Sequence, residues 1–269
     1  MARSQPTPEV LKERAKKLGL YGVLARWETY GEADWLPDLL KVEEDQRQIR
    51  TLDRRVRGAQ LGRFKPVADY DWDWPEEIDR EQIEELFTLE FLEGGGDGKE
   101  PPGNVLFIAT NGLGKTMLAK NLVYQALLKG YAARFTTASA MLNDLASQES
   151  AAALERRLRC YTRPRFLGVD EVGYLSYNSR HADLLFEVIS RRTEDKSTLV
   201  TTNRVPSEWN EVFPNATSVV ALVDRLVQRA EVVTIKGESY RLKEAQERQA
   251  KKAAARKAKR GTKAKKGGK

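Results

Sequence analysis

The sequence predicts an α/β fold in which a largely parallel central sheet is covered by helices on both faces. From residue 104 onward, short apolar β-type runs alternate with segments of helix length. Strands that are joined by helix-length crossovers form parallel sheets whose two faces are both buried. Before residue 104, apolar side chains instead recur at spacings of three and four, which is typical of helices. We therefore expect a three-layer α/β domain, preceded by a small all-α domain.

The elements of the α/β domain follow from its apolar runs and the segments between them. The predicted strands are Val105–Ala109, Arg134–Thr137, Phe166–Val169, Thr198–Thr202 and Val232–Ile235. The predicted helices lie near Lys115–Leu128, Ala138–Arg159, Ala182–Thr193 and Val219–Arg229.

The regions at the two ends of the chain differ from this pattern. Helical spacing covers 8–30, 36–61 and 79–92, and the glycine run 94–98 indicates a loop. The Ala/Lys/Arg tract at the carboxyl end is too poor in apolar residues to pack, so we expect a helix that frays into disorder. The predicted domains are a helical domain over 1–66, an α/β domain over 67–244, and a basic low-complexity tail over 245–269.

Charge and cysteine content limit the class of protein. The 269 residues carry a formal charge of +7, but residues 243–269 alone carry +10, so the rest of the chain is slightly acidic. No apolar run approaches the roughly 20 residues that a membrane span requires. The single cysteine, Cys160, has no partner for an internal disulfide. We expect a cytoplasmic protein whose tail attracts polyanions.

The segment 109–116, with the sequence ATNGLGKT, lies between a predicted strand and a predicted helix. Glycines at 112 and 114 permit backbone N–H groups to point at phosphates, and a helix amino terminus favours anions. The pattern is that of a Walker A phosphate loop, or P-loop, with Ala109 where glycine is usual. We expect ATP as ligand, with Mg²⁺ on the Thr116 hydroxyl. The predicted nucleotide-binding residues are Asn111, Gly112, Leu113, Gly114, Lys115, Thr116 and Met117.

A second segment, 166–171, is an apolar strand that ends in two carboxylates. This is the form of a Walker B segment, in which the first acid holds the metal and the second activates water. Asp170 is accordingly a predicted metal ligand, and Glu171 is the predicted general base.

Three further residues are candidates for catalysis. Asn203 follows the strand 198–202 and could orient the attacking water, although an amide after a strand is commonly a turn residue. Arg225 and Arg241 could stabilise charge on the transferring phosphoryl group, often from a neighbouring subunit. Either arginine could equally be a surface ion-pair residue.

The order of several short motifs closely resembles that of IstB-type transposition helper ATPases, a branch of the IstB/DnaC-like AAA+ family. These motifs are FTTA at 135–138, DEVGYL at 170–175, ADLLF at 182–186, ISRR at 189–192, TTNR at 201–204, SEW at 207–209 and GESYR at 237–241. The resemblance covers nearly all of 100–243, is looser over 8–92, and does not include the tail.

The resemblance implies an AAA+ module that binds ATP between subunits of a ring or spiral, with DNA in the interior and a transposase as partner. By the same resemblance, Asn203 is the sensor 1 residue, Arg225 the arginine finger and Arg241 the sensor 2 residue.

Three basic segments could meet DNA phosphates: the arginine-rich face of 47–65, the stretch 156–165, and the tail. Nothing in them suggests a base-reading code, so we expect binding to duplex DNA without sequence preference, weakening steeply with salt.

Together with the resemblance, these features lead us to expect an ATP-hydrolysing, DNA-stimulated protein that oligomerises on target DNA and recruits or activates a transposase. Region 1–66 would then bind the partner or DNA, and 67–244 would be the AAA+ ATPase domain. The nearest alternative is a DnaC-like loader of a replicative helicase, which would share the ATPase module. A nucleoside or small-molecule kinase also uses a Walker A loop but needs an arginine-bearing lid. A protein that uses ATP only as a structural latch would not need Glu171.

Overall fold

The computed structural model describes residues 6–94, 101–174, 177–213 and 218–252. Its contacts divide the chain into two compact units, Met1–Arg57 and Gly58–Lys269. Residues 58–66 group with the larger unit by their contacts, and a functional boundary near 66 stays a prediction. Most of the predicted glycine loop and most of the predicted tail lie outside the described residues.

The smaller unit is helical. Its helices are α1 (Pro8–Lys17), α2 (Tyr21–Ala25), α3 (Trp27–Tyr30) and α4 (Leu36–Ala59), the last of which continues into the larger unit. The single helix expected over 8–30 is thus three helices, because Gly19 takes a left-handed φ of 63° and ends the first one. Leu11 and Ala15 of α1, and Leu18 directly after it, pack with Leu36 and Leu40 of α4 to form the core of this unit.

The larger unit alternates strands and helices, as predicted. Its strands are β1 (Asn104–Ala109), β2 (Ala133–Thr137), β3 (Phe166–Val172), β4 (Ser197–Thr202) and β5 (Ala230–Ile235). Its helices are α5 (Arg80–Leu86), α6 (Lys115–Leu128), α7 (Ala138–Ala146), α8 (Ala151–Thr162), α9 (Ser179–Ser190), α10 (Trp209–Val212), α11 (Ser218–Val227) and α12 (240–252). Short 3₁₀ turns occupy Val67–Asp69, Glu90–Leu92 and Pro206–Glu208.

The five strands form one sheet in the order β2-β3-β4-β1-β5, and every neighbouring pair is parallel. The carboxyl ends of β1, β3 and β4 therefore meet at one edge of the sheet, with β4 between the other two. In open α/β sheets, ligands bind at this edge. The expected fold class is confirmed.

Helices cover both faces of the sheet. Gly168 of β3 lies beneath Val123 of α6, so that helix occupies one face. Leu167 and Val169, which alternate with it, point to the other face and join a buried cluster with α7, α9 and α11. Alternation along β3 also places Asp170 on the α6 side, two residues beyond Gly168.

Two predicted helices are interrupted. The helix expected over 138–159 is two helices, because Ser150 caps a new helix by accepting from the amide of Ala153 at 3.2 Å. The helix expected over 79–92 ends at Leu86, and Leu89 takes a left-handed φ of 67° before the 3₁₀ turn. None of the helices in the described ranges combines the length and the apolar character that a bilayer crossing needs.

Candidate functional site

The loop between β1 and α6 has the backbone that a phosphate cradle requires. Gly112 and Gly114 have φ values of 86° and 84°, a region that residues with a Cβ rarely adopt. A Cβ at Gly114 would lie 2.5 Å from the Tyr70 ring, and one at Gly112 would collide with the Ser239 hydroxyl. The two glycines are therefore required both by backbone conformation and by close packing. The first amides of α6, which have no intrahelical acceptors, begin directly after this loop.

Lys115 is 95% shielded from solvent, and its ammonium group points back across the loop. It donates to the carbonyl oxygens of Ala109 at 2.6 Å and Thr110 at 2.8 Å. Burial lowers the pKa of Lys115 to about 8, the nearby Asp170 carboxylate opposes that shift, and Arg241 adds to it. An anion in the loop would favour the charged form and would give the ammonium group a stronger acceptor.

Thr116 and Asp170 bring two oxygen groups together at the edge of the sheet. The Thr116 hydroxyl donates to the Asp170 carboxylate, at 2.9 Å from Oδ2 and 3.1 Å from Oδ1. Hard oxygen donors of this kind suit Mg²⁺, which usually keeps only one or two protein ligands and fills its shell with phosphate and water. Within the described ranges, no three His, Cys, Asp or Glu side chains are grouped so that they could hold a metal ion by themselves. The pair therefore fits Mg²⁺ held together with a nucleotide.

Glu171 is turned out of β3 by an unusual backbone. Its φ is 62°, and the pairing of β3 with β4 loses register between Val169 and Val172. A non-glycine residue in this region costs about 1–3 kcal/mol, and such strain clusters at functional sites. The consequence here is that the Glu171 side chain is exposed and lines the cleft described below, whereas Asp170 before it is buried.

The other three predicted catalytic residues do not all line that cleft. Asn203 directly follows β4, and its side-chain oxygen is buried without a hydrogen-bond partner among the described residues. Arg241 lies in the first turn of α12, lines the cleft, and is close enough to affect the pKa of Lys115. Arg225 lies in the last turn of α11, exposed, with its guanidinium 5.0 Å from the centre of the Phe186 ring. The described residues that line the cleft do not include Arg225 or Asn203.

Two segments far apart in sequence close over the phosphate loop. Tyr70 donates its hydroxyl to the Leu113 carbonyl at 2.8 Å, and the amide of Tyr240 donates to the Gly112 carbonyl at 3.1 Å. The indole of Trp74 donates to the Glu238 carbonyl at 2.8 Å and joins the two segments. Its ring lies edge to face with that of Tyr240, 5.9 Å between centres. The loop is thus held between two aromatic-bearing segments.

Together these elements enclose a cleft of about 450 Å³, within the range of small-ligand pockets. All seven residues predicted to bind nucleotide, Asn111 to Met117, line it, as do Glu171 and Arg241. Its lining also includes charged side chains and five aromatic residues, here called the aromatic side: Phe64, Tyr70, Trp74, Tyr174 and Tyr240. None of these aromatic residues was among the predicted site residues. The signal available in the sequence was the density of aromatic residues in 70–74.

Comparison with known proteins agrees with this architecture. A crystal structure of DnaI superposes with a TM-score of 0.53 at 15% identity, covering 67% of this chain and 92% of that one. At this identity, the likeness concerns the fold alone.

Relatives of known sequence match over most of their length. An ATP-binding protein of insertion sequence IS5376 from Geobacillus stearothermophilus is 32% identical over 245 residues, 88% of this chain and 95% of its own. An ATP-binding protein of IS232 from Bacillus thuringiensis subsp. berliner is 31% identical, covering 87% and 91% of the two chains. One of IS21 from Pseudomonas aeruginosa is 33% identical, covering 76% and 75%. The model of the IstB-like ATP binding proteins of IS21-type elements matches residues 11–249, and the chain belongs to that family.

Proposed function

We propose that this protein hydrolyses ATP to control its assembly on duplex DNA, and that the assembly recruits or activates a transposase. One observation carries the hydrolytic part of the proposal. At the edge of the sheet, a buried carboxylate is bonded to the hydroxyl of the phosphate loop, and an exposed carboxylate follows it directly in the same cleft. Membership of a family of insertion-sequence ATP-binding proteins supports the transposition part.

The phosphate end of the cleft supplies the binding groups. Asn111 to Gly114 would surround the phosphates with backbone N–H groups, and Lys115 would leave the Ala109 and Thr110 carbonyls to pair with phosphate oxygens. Thr116 and Asp170 would hold Mg²⁺, with Met117 in the first turn behind them. When bound, Mg²⁺ would neutralise negative charge that develops on the phosphates.

The catalytic step we propose is attack of water on the terminal phosphorus. Glu171 would accept a proton from that water while the bond from phosphorus to the leaving oxygen breaks. Asn203 would orient the water with its amide, whose oxygen has no partner among the described residues. Arg241 would stabilise charge on the phosphates from within the same chain.

The aromatic side of the cleft suits the base. Trp74 and Tyr240 offer apolar rings next to the phosphate loop, and the ammonium group of Lys243 lies 4.1 Å from the centre of the Trp74 ring. A planar base would gain stacking area there, of the kind that aromatic side chains commonly provide. We propose that this side holds adenine.

Arg225 supports the proposal that ATP lies between subunits. It is exposed on α11 and is not part of the cleft of its own chain as described. An arginine placed in this way can reach the phosphates of a neighbouring copy, as arginine fingers do. We propose that role, which requires a homo-oligomer.

The DNA-binding part of the proposal is supported by the arginine-rich face of α4. Arg47, Arg50, Arg54 and Arg57 are all exposed and follow one another at spacings of three, four and three, so they lie on one face of the helix. Arg47 is paired with Glu43 at 3.4 Å, whereas the other three make no ion pair within the described ranges. From Arg50 to Arg57 the row is about 10 Å long, at about 1.5 Å per residue. Duplex DNA presents a negative charge about every 1.7 Å along its axis, so a row of this length can face several phosphates.

The stretch before β3 is less available for DNA than its composition suggested. Arg157 is paired with Asp144, and Arg159 lies 3.6 Å from Glu155. Arg165 donates to the Leu92 carbonyl at 3.0 Å. Arg157 and Arg165 are thus engaged within the fold, and Arg159 is an exposed arginine beside a carboxylate. We therefore propose α4, within the predicted partner- and DNA-binding region 1–66, as the main phosphate contact.

Neutralising part of this row should weaken DNA binding and reduce its dependence on salt. For the double variant Arg50→Gln and Arg54→Gln, we expect the slope of log affinity against log salt concentration to fall by about 2, one unit per lost phosphate contact. Fluorescence anisotropy with a labelled duplex between low and moderate salt measures that slope.

The matched control removes the same charge from two arginines that are each paired with a glutamate four positions away. Arg80 pairs with Glu84 at 2.6 Å, and Arg191 pairs with Glu187 at 2.7 Å. The variant Arg80→Gln and Arg191→Gln should keep the slope of the unmodified protein. Equal slopes in both double variants would show that α4 does not contact phosphates.

A further inference from the structure

The hydroxyl of Thr201 joins the two carboxylate-bearing residues of the site. Thr201 lies on β4 and is fully buried, with no exposed surface. Its oxygen accepts the backbone N–H of Glu171 at 3.0 Å, and its O–H donates to Oδ1 of Asp170 at 2.5 Å. One side-chain atom thus contacts both consecutive residues at the end of β3.

The direction of these bonds is fixed by chemistry. An ionised carboxylate only accepts, and a backbone N–H only donates, so the threonine hydroxyl uses its single proton toward Asp170 and a lone pair toward Glu171. The Thr116 hydroxyl also donates to the Asp170 carboxylate. The carboxylate is therefore held from two sides, by the phosphate loop and by β4.

The bond to Glu171 replaces a sheet bond that the turned backbone cannot make. Pairing between β3 and β4 is regular as far as Val169 with Val200, and resumes with Val172 and Thr202. In the interval, Glu171 has a left-handed φ of 62°, and the Thr201 side chain supplies an acceptor for its amide. Buried amides need such an acceptor. The hydroxyl therefore holds the backbone in the conformation that exposes the Glu171 side chain.

We propose that Thr201 is a positioning residue for ATP hydrolysis, which orients the metal-binding carboxylate of Asp170 and the backbone that presents Glu171. This inference rests on the proposed function of the site. Valine matches threonine in shape and β-branching but lacks the hydroxyl, whereas serine keeps the hydroxyl and loses a methyl group. The two substitutions therefore separate the hydrogen bonds from the packing.

The test measures two quantities in Thr201→Val, Thr201→Ser and the unmodified protein. The first is binding of a fluorescent ATP analogue, with EDTA and then across a titration of Mg²⁺. The second is kcat for ATP hydrolysis at saturating Mg²⁺. In Thr201→Val, we expect affinity in EDTA within about twofold of normal, a Mg²⁺ requirement raised about 10-fold or more, and kcat lowered about 10- to 100-fold. Thr201→Ser should recover most of both effects.

Thr198→Val provides a control for the loss of a buried hydroxyl from the same strand. The Thr198 hydroxyl accepts from Arg192 at 3.0 Å, at the opposite end of β4 from the site. This variant should lose thermal stability without raising the Mg²⁺ requirement. If Thr201→Val does not fold, the comparison of Thr201→Ala with Thr201→Ser carries the same test, because both residues are small and only serine has the hydroxyl.

Failure of the inference can be distinguished from failure of the proposed function. If the unmodified protein responds to Mg²⁺ and hydrolyses ATP, but Thr201→Val retains the normal Mg²⁺ requirement and kcat, then Thr201 is structural and the inference is wrong. If the unmodified protein neither responds to Mg²⁺ nor hydrolyses ATP, the proposed function itself fails, and the inference fails with it.

Discussion

Replacing Lys115 by alanine is expected to weaken ATP binding by at least about 100-fold, equivalent to about 2.7 kcal/mol. The ammonium group is buried at the centre of the phosphate loop, where it faces two carbonyl oxygens. A buried, charged donor to phosphate contributes more than an exposed one, since water competes less with it. Isothermal titration of the purified variant with ATP measures the loss directly.

The control is Lys129→Ala, which removes a lysine just beyond the other end of α6, where it contacts the Thr88 carbonyl. That variant should bind ATP normally. Unchanged ATP affinity in Lys115→Ala, with the variant folded, would remove the assignment of the loop to phosphate.

The same lysine predicts how ATP affinity depends on pH. Because burial lowers its pKa to about 8, the free protein loses the ammonium charge as pH rises through that value. Phosphate needs the charged form, so affinity should be greatest well below pH 8 and should fall as pH rises through that value. Titrations between pH 7 and pH 9 should show this decline in the unmodified protein, and Lys115→Ala should lack it.

The second large effect is expected for Glu171→Gln. Glutamine keeps the size and the polarity of the side chain but cannot accept a proton, and loss of a general base usually costs about 10²- to 10⁴-fold in rate. ATP binding should persist, because the phosphate loop and the Thr116–Asp170 pair are unchanged. The protein should therefore stay in its ATP-bound form, and its complexes with DNA should dissociate more slowly.

Single-turnover hydrolysis and the dissociation of a labelled duplex after addition of competitor DNA measure these two effects. Glu81→Gln, an exposed acid in the first turn of α5, is the control and should behave as the unmodified protein does. Hydrolysis at a normal rate in Glu171→Gln would mean that ATP is split without this carboxylate, or that ATP serves only as a latch.

Much of the fold could be predicted, because the periodicity of apolar residues depends on local spacing. The strands from residue 104 onward, and their parallel arrangement, follow from it. The interruptions in the helices could not be predicted, since they depend on individual residues. A glycine such as Gly19 can be tolerated within a helix, so its presence did not predict a helix end. The left-handed turn at Leu89 could not be predicted, because leucine does not favour that conformation.

The candidate site likewise has a part that the sequence predicts and a part that it does not. The phosphate loop and Asp170 each lie in a contiguous segment at the end of a predicted strand, so the sequence alone predicts that they are close together. The aromatic side of the cleft depends on Trp74 meeting Glu238 and Tyr240, more than 160 positions later. Contacts of that separation are set by the path of the chain over the sheet, and no spacing rule predicts them. The role inferred for Thr201 likewise depends on the register of β4 against β3.

Hydrolysis of ATP by the purified full-length protein, with Mg²⁺ and with or without duplex DNA, tests the central claim most directly. We expect measurable phosphate release that rises when duplex is added, and stimulation that weakens as salt concentration increases. Phosphate release that is absent, or that is the same with and without duplex at low salt, would contradict the coupling of this ATP site to DNA.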